Sequence, residues 1–196
     1  MNNKKLSGLF YTAVMGVAVL SLGSCTEKKF NINGTITQAK DSVLYLENMS
    51  LNGPKAVDSV KLDENGNFEF KQKAPDAPEF YRLRIANQMV NLAVDSTESI
   101  TVKAAYPTMS ANYEVSGSEE CAKIRDLAYM QLALQRQVTA IANSPTLGVQ
   151  AVEDSVTKVL EVYKNKVKLN YIFKEPMKAY SYYALFQTIV LGNANI

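Results

Sequence analysis

The two cysteines are the first residues to examine for chemistry, because the sequence contains no histidine. Without histidine, Ser-His-Asp and Cys-His catalysis, a histidine base and histidine-ligated zinc are excluded. Cys121 follows Glu119 and Glu120, whose charges oppose a thiolate, and lies one helical turn before Ile124. We therefore expect Cys121 to be a structural cysteine and not a nucleophile.

Two further clusters contain side chains that could bind a cation or act as a nucleophile. Asp63, Asn65 and Asn67 are similar to the start of a calcium loop, but a strand pattern follows where the bidentate Glu should be, so a turn is favoured. Asp58-Ser59 and Asp95-Ser96 have no base that could activate the serine. We predict no catalytic residue, no metal site and no cofactor.

A third group of residues could line a groove for a small molecule or a glycan. Its members combine aromatic and basic side chains: Tyr81, Arg82, Arg84, Tyr106 and Tyr113. A sheet with one solvated face produces the same alternation, and we favour that interpretation. Ligand binding on the sheet face is therefore the alternative function.

The overall composition is that of a folded globular chain. Its 196 residues are 47% hydrophobic and 20% charged, with 21 basic and 19 acidic residues. A nucleic-acid-binding domain normally has a clear basic excess, and a disordered chain has lower hydrophobicity. We therefore expect a stable core and no nucleic-acid partner.

The N-terminus has the layout of a bacterial export signal. Lys4 and Lys5 precede an apolar run from Leu9 to Leu22. As a helix this run would span about 21 Å, which is short of the roughly 30 Å hydrocarbon core of a bilayer. The pattern therefore predicts a cleaved signal peptide over residues 1–24 and not a transmembrane helix.

The residues after the apolar run indicate how the mature chain is held. Leu22-Gly23-Ser24-Cys25 resembles the lipobox of bacterial lipoproteins. The resemblance implies that lipid is attached to Cys25, that cleavage follows Ser24 and that two or three acyl chains anchor the protein. An ordinary secretory signal with an incidental cysteine is the alternative. Cleavage would leave 19 basic and 19 acidic residues, so net charge gives no reason to expect adhesion to anionic lipid.

From Phe30 to about Gly117 the hydrophobic pattern has the period of two that is typical of strands. The short strands recur at about ten-residue spacing with polar turns, which predicts an antiparallel β-sandwich or a partly open barrel. Asp63-Glu64-Asn65-Gly66 predicts a β-hairpin, because Asn-Gly supplies the positive φ of the turn. The predicted strands are residues 30–36, 42–47, 57–62, 67–71, 80–85, 89–94, 99–104 and 112–115.

At Ser118 the hydrophobic period changes to 3.6. Ser118 is the predicted N-cap of a helix whose apolar seam runs from Ile124 to Ile141 and is interrupted by Gln131. A second stripe from Val149 to Tyr171 predicts an antiparallel partner helix. A third helix from Ala179 to Leu191 is apolar on nearly every side, so we expect another domain or chain to cover it.

Several motifs, taken in order, point to a family. They are Phe30-x-Ile32-x-Gly34-x-Ile36, Val43-x-Tyr45-Leu46, Asp58-Ser59-Val60, Asp63-x-x-Gly66-x-Phe68-x-Phe70 and Tyr81-x-Leu83. Together with the lipobox they resemble the uncharacterised N-terminal domain of envelope lipoproteins of Bacteroidota, over about residues 25–190. In that family a helical connector leads to a thioredoxin-like domain of the thiol-disulfide interchange or peroxiredoxin type. No C-x-x-C pair is present, so no redox role is transferred to Cys121.

These expectations define an α+β chain: a lipoprotein signal peptide (1–24), a β-rich domain (25–117) and a helical connector (118–196) that stops before a thioredoxin-like domain. The main hypothesis is a non-catalytic module that faces the periplasm. Acyl chains on Cys25 would hold it on a membrane of the cell envelope, and its apolar tail would contact a thioredoxin-like domain in cis or a protein partner. The outer membrane is preferred, because Thr26 does not resemble an inner-membrane retention signal.

Overall fold

The computed structural model describes residues 27–50 and 52–193, with side chains as far as Ile189. The predicted signal peptide and Cys25 lie outside the described residues. A π-helical turn, Lys168–Ile172, directly follows the second α-helix. The elements in chain order are β1 (Lys29–Thr37), β2 (Val43–Ser50), β3 (Gly53–Lys61), β4 (Asn67–Lys73), β5 (Glu79–Ile85), β6 (Gln88–Val94), β7 (Ser99–Ala105), β8 (Tyr113–Ser116), α1 (Glu119–Ala142), α2 (Val149–Val167) and α3 (Ala179–Asn193).

The strands form two four-stranded sheets, in the orders β4-β1-β7-β8 and β3-β2-β5-β6. The sheets pack face to face as a β-sandwich, and three helices follow. The predicted α+β class with an N-terminal sandwich is therefore confirmed. Within the described residues the strand pairs are antiparallel, with the exception of β1 and β7, which run parallel.

Alternation along each strand explains the core of the sandwich. Leu44 and Leu46 on β2 are completely buried, whereas Val43, the first residue of β2, is exposed. On β1, Phe30 and Ile32 have the same inward orientation. Because successive side chains point to opposite faces, each strand supplies apolar residues to the interior and polar residues to the outside.

Gly34 allows β1 to lie in the centre of its sheet. Its φ is +152°, and a Cβ at this position would lie 1.7 Å from the carbonyl oxygen of Val102. Gly34 pairs with Val102 on β7 and with Phe68 on β4. The glycine of the predicted strand motif is therefore required by close approach of the neighbouring backbone.

The prediction of a β-hairpin at Asp63–Gly66 is wrong, although the turn itself forms. The Asp63 carboxylate accepts hydrogen bonds from the N–H groups of Asn65 and Gly66, each at 2.9 Å, and Gly66 has a φ of +68°. The two flanking strands belong to different sheets, because β3 pairs with β2 and β4 pairs with β1. The turn therefore carries the chain from one sheet to the other.

The helices form the expected hairpin and a third helix. The Ser118 hydroxyl accepts the Cys121 N–H at 3.3 Å, which confirms the N-cap of α1. α1 lies along β6 and β8, one edge strand of each sheet, and closes this side of the sandwich. α2 packs on α1 through Tyr163 and Val167. Within the described residues, no helix is long and apolar enough to cross a bilayer.

Candidate functional site

The surface of α3 is the candidate functional site, because one side of this helix is firmly seated and the other is open. Ala179, Tyr180, Ala184 and Gln187 are buried against α1, α2 and the π-helical turn. Tyr183 lies on the same side, and its ring is 6.0 Å from that of Phe80 on β5. The predicted all-round apolar helix is therefore covered on one side by this chain itself.

Hydrogen bonds fix the beginning of α3. One carboxylate oxygen of Glu120 accepts the backbone N–H of Tyr180 at 2.9 Å, and the other lies 3.7 Å from Lys178 Nζ. The hydroxyl of Tyr180 donates to Glu175 at 2.6 Å, and that of Ser181 donates to the carbonyl of Tyr171 at 2.7 Å. Glu120 thus caps the N-terminus of α3 from the first turn of α1.

The pKa of Glu120 is raised by its surroundings. Burial favours the neutral carboxyl and is the largest cause, whereas the hydrogen bond from Tyr180 and the charge of Lys178 act in the opposite direction. The sequence shows only that Glu120 lies two residues after Ser118, the predicted N-cap of its own helix. Its role in α3 depends on a contact across 60 residues, for which the local sequence has no signal.

Polar contacts inside the helical region set the rotation of α3 about its axis. The Gln187 side-chain N–H donates to Gln131 Oε1 at 3.0 Å, so the polar break in the α1 seam has a partner. Asn91 on β6 donates to the Tyr183 hydroxyl at 2.9 Å. These bonds require a particular face of α3 to point inward, because a buried polar group without a partner is costly.

The opposite face of α3 is apolar and open. Tyr182, Leu185, Phe186 and Ile189 are between 44% and 65% exposed. Their spacing of three and four residues places them on one side of the helix, and residues 179–193 contain no charged side chain. We call these four residues the outer face of α3. A contiguous apolar surface of this kind is typical of a contact with a partner.

A second cluster joins β2 and β5 on the outer side of their sheet. Arg82 Nε and Arg84 Nε donate to the two carboxylate oxygens of Glu47, each at 2.7 Å. The Arg84 guanidinium also lies 4.6 Å from the centre of the Tyr45 ring. Burial alone would raise the pKa of Glu47, but hydrogen bonds and charge from both arginines outweigh burial and lower it. This cluster ties the two strands together.

The ligand groove considered from sequence is not assembled. Tyr81 and Tyr113 belong to the hydrophobic core of the sandwich, and Tyr106 packs against that core. Arg82 and Arg84 point to the outer side, away from Tyr81, because adjacent residues on a strand face opposite sides. Burial raises the pKa of Tyr81 to about 12. Five residues that were grouped by type are therefore divided between two faces.

Cys121 lies at the contact between α1 and the sandwich. The side chain is completely buried, and its thiol donates to the carbonyl of Ala93 at 3.2 Å. Burial raises the pKa of the thiol to about 11, so it is protonated at neutral pH. The structure places Cys121 in the core, as expected of a structural cysteine.

The acidic clusters singled out from sequence occupy turns and the surface. Asp58 accepts a hydrogen bond from Gln72 at 2.8 Å, and the Asp95 backbone donates to Glu98 at 2.8 Å. Asp63 is used by its own turn. Among the residues that the structure describes, no group of three or more metal-binding side chains converges.

Comparison with known proteins adds one relationship. Residues 30–123 match a family described as a domain of unknown function (DUF4369). The match covers the eight strands of the sandwich and ends in the first turn of α1, the helix that closes one side of the sandwich. None of the curated proteins matches the chain. The match supports the expected relationship at the level of a domain of unknown function.

Proposed function

We propose that this chain is a non-catalytic, lipid-anchored module of the bacterial cell envelope that contacts a protein partner through the outer face of α3. The single observation that carries the partner contact is an uncharged helix with one side locked in place and the other side apolar and open. Such a helix is rigid before binding, so little conformational entropy is lost in the contact.

The proposed partner is a thioredoxin-like domain, either in the same polypeptide or in a second protein. This choice is supported by the sequence motifs that resemble the N-terminal domain of thioredoxin-like envelope lipoproteins. The module would hold the redox domain at the membrane and supply no redox chemistry itself. The buried, protonated thiol of Cys121 is consistent with that division of roles.

The anchor can be tested by following acyl labels in bacteria that express the full chain. A labelled fatty acid should be incorporated into the wild type and into Cys121→Ala, and not into Cys25→Ala. Cys121→Ala is the matched control because it removes the other cysteine of the chain. Incorporation of the acyl label into Cys25→Ala would contradict the anchor.

The partner contact can be tested with a photo-crosslinking residue in place of Phe186, in the cells in which the protein occurs. We expect an adduct with a protein or domain that contains a thioredoxin fold. Val149 is the control position, because it is also exposed but lies at the beginning of α2. Adducts that are equal at both positions, or that contain no thioredoxin fold, would refute the proposed partner.

Binding of a small ligand or glycan on the sheet face has less support. Two of the three tyrosines expected to line the groove are in the core, and both arginines are engaged by Glu47. The alternative would require a ligand to compete with a buried carboxylate for these arginines.

A further inference from the structure

Residues 162–178, which we call the basic apolar segment, combine exposed apolar side chains with a local excess of positive charge. Val162, Leu169, Phe173 and Met177 are between 62% and 81% exposed. The same segment contains five lysines and a single acidic residue, Glu175. The basic and acidic residues are equal in number after residue 24, so charge is unevenly distributed along the chain.

The geometry places much of the segment on one side of a continuous helix. Val162, Lys166, Leu169 and Phe173 follow one another at steps of four, three and four residues. The helix continues through the π-helical turn, where the Phe173 N–H donates to the carbonyl of Lys168 at 2.9 Å. Three large apolar side chains and Lys166 therefore lie along a single exposed stripe, and the other lysines lie elsewhere on the segment.

The positive charges of the segment are largely free to act outward. Among the residues that the structure describes, Lys164, Lys166, Lys168 and Lys174 form no ion pair with a carboxylate. Glu175 is engaged by the Tyr180 hydroxyl. A surface that presents both exposed apolar groups and unneutralised lysines matches an apolar layer covered by anionic groups.

The C-terminal end of the segment lies on the side of the sandwich where the described part of the chain begins. Lys28, three residues after Cys25, lines a surface groove with Asp95. The Asp95 N–H donates to Glu98, which also accepts from the N-cap hydroxyl of α1. The first turn of α1 contains Glu120, which lies 3.7 Å from Lys178 at the end of the segment.

We propose that the basic apolar segment docks onto the surface of an anionic phospholipid bilayer. The apolar side chains would enter the boundary between headgroups and acyl chains, and the lysines would lie at the level of the phosphates. This inference rests on the proposed function in one respect, namely that acyl chains on Cys25 bring the bilayer to this end of the molecule. The outer face of α3, which has no charged residue, remains available to a protein.

The lack of tryptophan in the chain makes a direct test possible. Phe173→Trp introduces a single tryptophan, which can be excited selectively, into the segment of the full chain, and Val149→Trp introduces one at the exposed start of α2. Each variant is combined with vesicles of phosphatidylcholine alone or mixed with phosphatidylglycerol, with brominated acyl chains as quenchers. We expect a blue shift and quenching for Phe173→Trp in the anionic vesicles, reversal by high salt, and neither effect for Val149→Trp.

Charge removal provides the quantitative measurement. In the Phe173→Trp background, each change among Lys166→Gln, Lys168→Gln and Lys174→Gln should lower the docking equilibrium constant about fivefold at low salt. Lys40→Gln, on the sandwich, is the control and should leave docking unchanged. Circular dichroism would establish that each variant remains folded.

The possible results separate this proposal from the proposed function. Absence of quenching at Phe173→Trp in anionic vesicles, or equal quenching at Val149→Trp, would overturn docking whether or not Cys25 is acylated. Quenching of Phe173→Trp in a protein that also carries Cys25→Ala would support docking without acyl chains, and docking would then stand even if the acyl-label test of the anchor failed. A blue shift that requires an acidic protein and no lipid would overturn the bilayer as the occupant.

Discussion

The sandwich and the helical region bury their side chains in different ways. In the sandwich, both sheets direct large apolar residues into one core, and many are completely buried. In the helical region, fewer residues are completely buried, several valines and tyrosines are half-buried, and a buried glutamine, Gln187, is paired with the half-buried Gln131. Most helical stability in proteins comes from tertiary packing; α1 docks on β6 and β8, and α2 and α3 pack on α1, so the sandwich supports all three helices through α1. The sandwich therefore has a large core of its own, whereas the helical region depends on packing against the sandwich.

The largest effect should come from Gly34→Ala. The added methyl group would overlap the carbonyl of Val102 and force a strained φ, at a cost of about 3 kcal/mol or more. Because the helices depend on the sandwich, thermal unfolding followed by circular dichroism should show early loss of both regions.

Gly148→Ala is the matched control for this change. Gly148 precedes α2 in open space, and its φ is −73°, so the substitution should cost less than about 1 kcal/mol. Helices that remain at full stability in Gly34→Ala would show that they do not depend on the sandwich.

The second effect concerns two carboxylates, one in each region. Glu47→Gln should cost about 2 kcal/mol at neutral pH, because two arginines lose a buried anionic partner. The pKa of Glu47 is below its ordinary value of 4.5 in the folded state. Its stabilisation is therefore complete above pH 4.5 and is lost as the pH falls through the lower folded pKa.

Glu120 should have the opposite pH dependence. Its folded pKa lies above 4.5, so its contribution is most favourable below pH 4.5 and declines as the pH rises through the folded pKa. The free energy of unfolding of the wild type, Glu47→Gln and Glu120→Gln, measured against pH, would give both signs. Curves for the two variants that diverge from the wild type in the same direction would refute this contrast.

The third effect is at the contact between the regions. Cys121→Ala removes a buried sulfur and the donor to Ala93, and should cost about 1.5 kcal/mol. In the wild type, alkylation of Cys121 requires α1 to leave the sandwich. Leu134→Ala, which weakens the helical region away from the sulfur, should therefore accelerate alkylation, whereas rapid alkylation of the wild type would show that the contact is open.

The smallest effect concerns the two glutamines. Gln187→Leu leaves Gln131 without its side-chain partner and should cost about 1 kcal/mol. The double variant with Gln131→Leu should recover that loss, because an apolar pair replaces a polar pair. A double-mutant cycle in chemical denaturation measures the coupling, and additive costs would show that the glutamines act independently.

The sequence predicted the parts of this fold that depend on periodicity. Strands with a period of two, the change of period at Ser118 and the burial of Ile124 are all present in the structure. Which strands pair with one another was harder to predict from the sequence. The Asp63–Gly66 turn has a local signal, but whether β4 pairs with β3 or with β1 depends on residues 32 to 44 positions away.

The same limitation applies to the contacts of the candidate site. Period two already indicated that Tyr81 and Arg82 face opposite sides, so grouping them by residue type was an error that strand geometry could have prevented. The pairing of Glu47 with Arg82 and the capping of α3 by Glu120 join residues 35 and 60 positions apart. Such contacts follow from the packed fold and not from local pattern.

The position of α1 along β6 and β8 also has a consequence for the behaviour of partly unfolded molecules. Both strands are sheet edges, and an uncovered edge presents unpaired backbone groups that can template strands from another copy. The outer strand of the second sheet, β3, has other protection: Pro54 near its start and a bulge where its register with β2 shifts. Loss of α1 would therefore expose two sheet edges through which copies of the chain could aggregate, so this helix protects the sandwich as well as supporting α3.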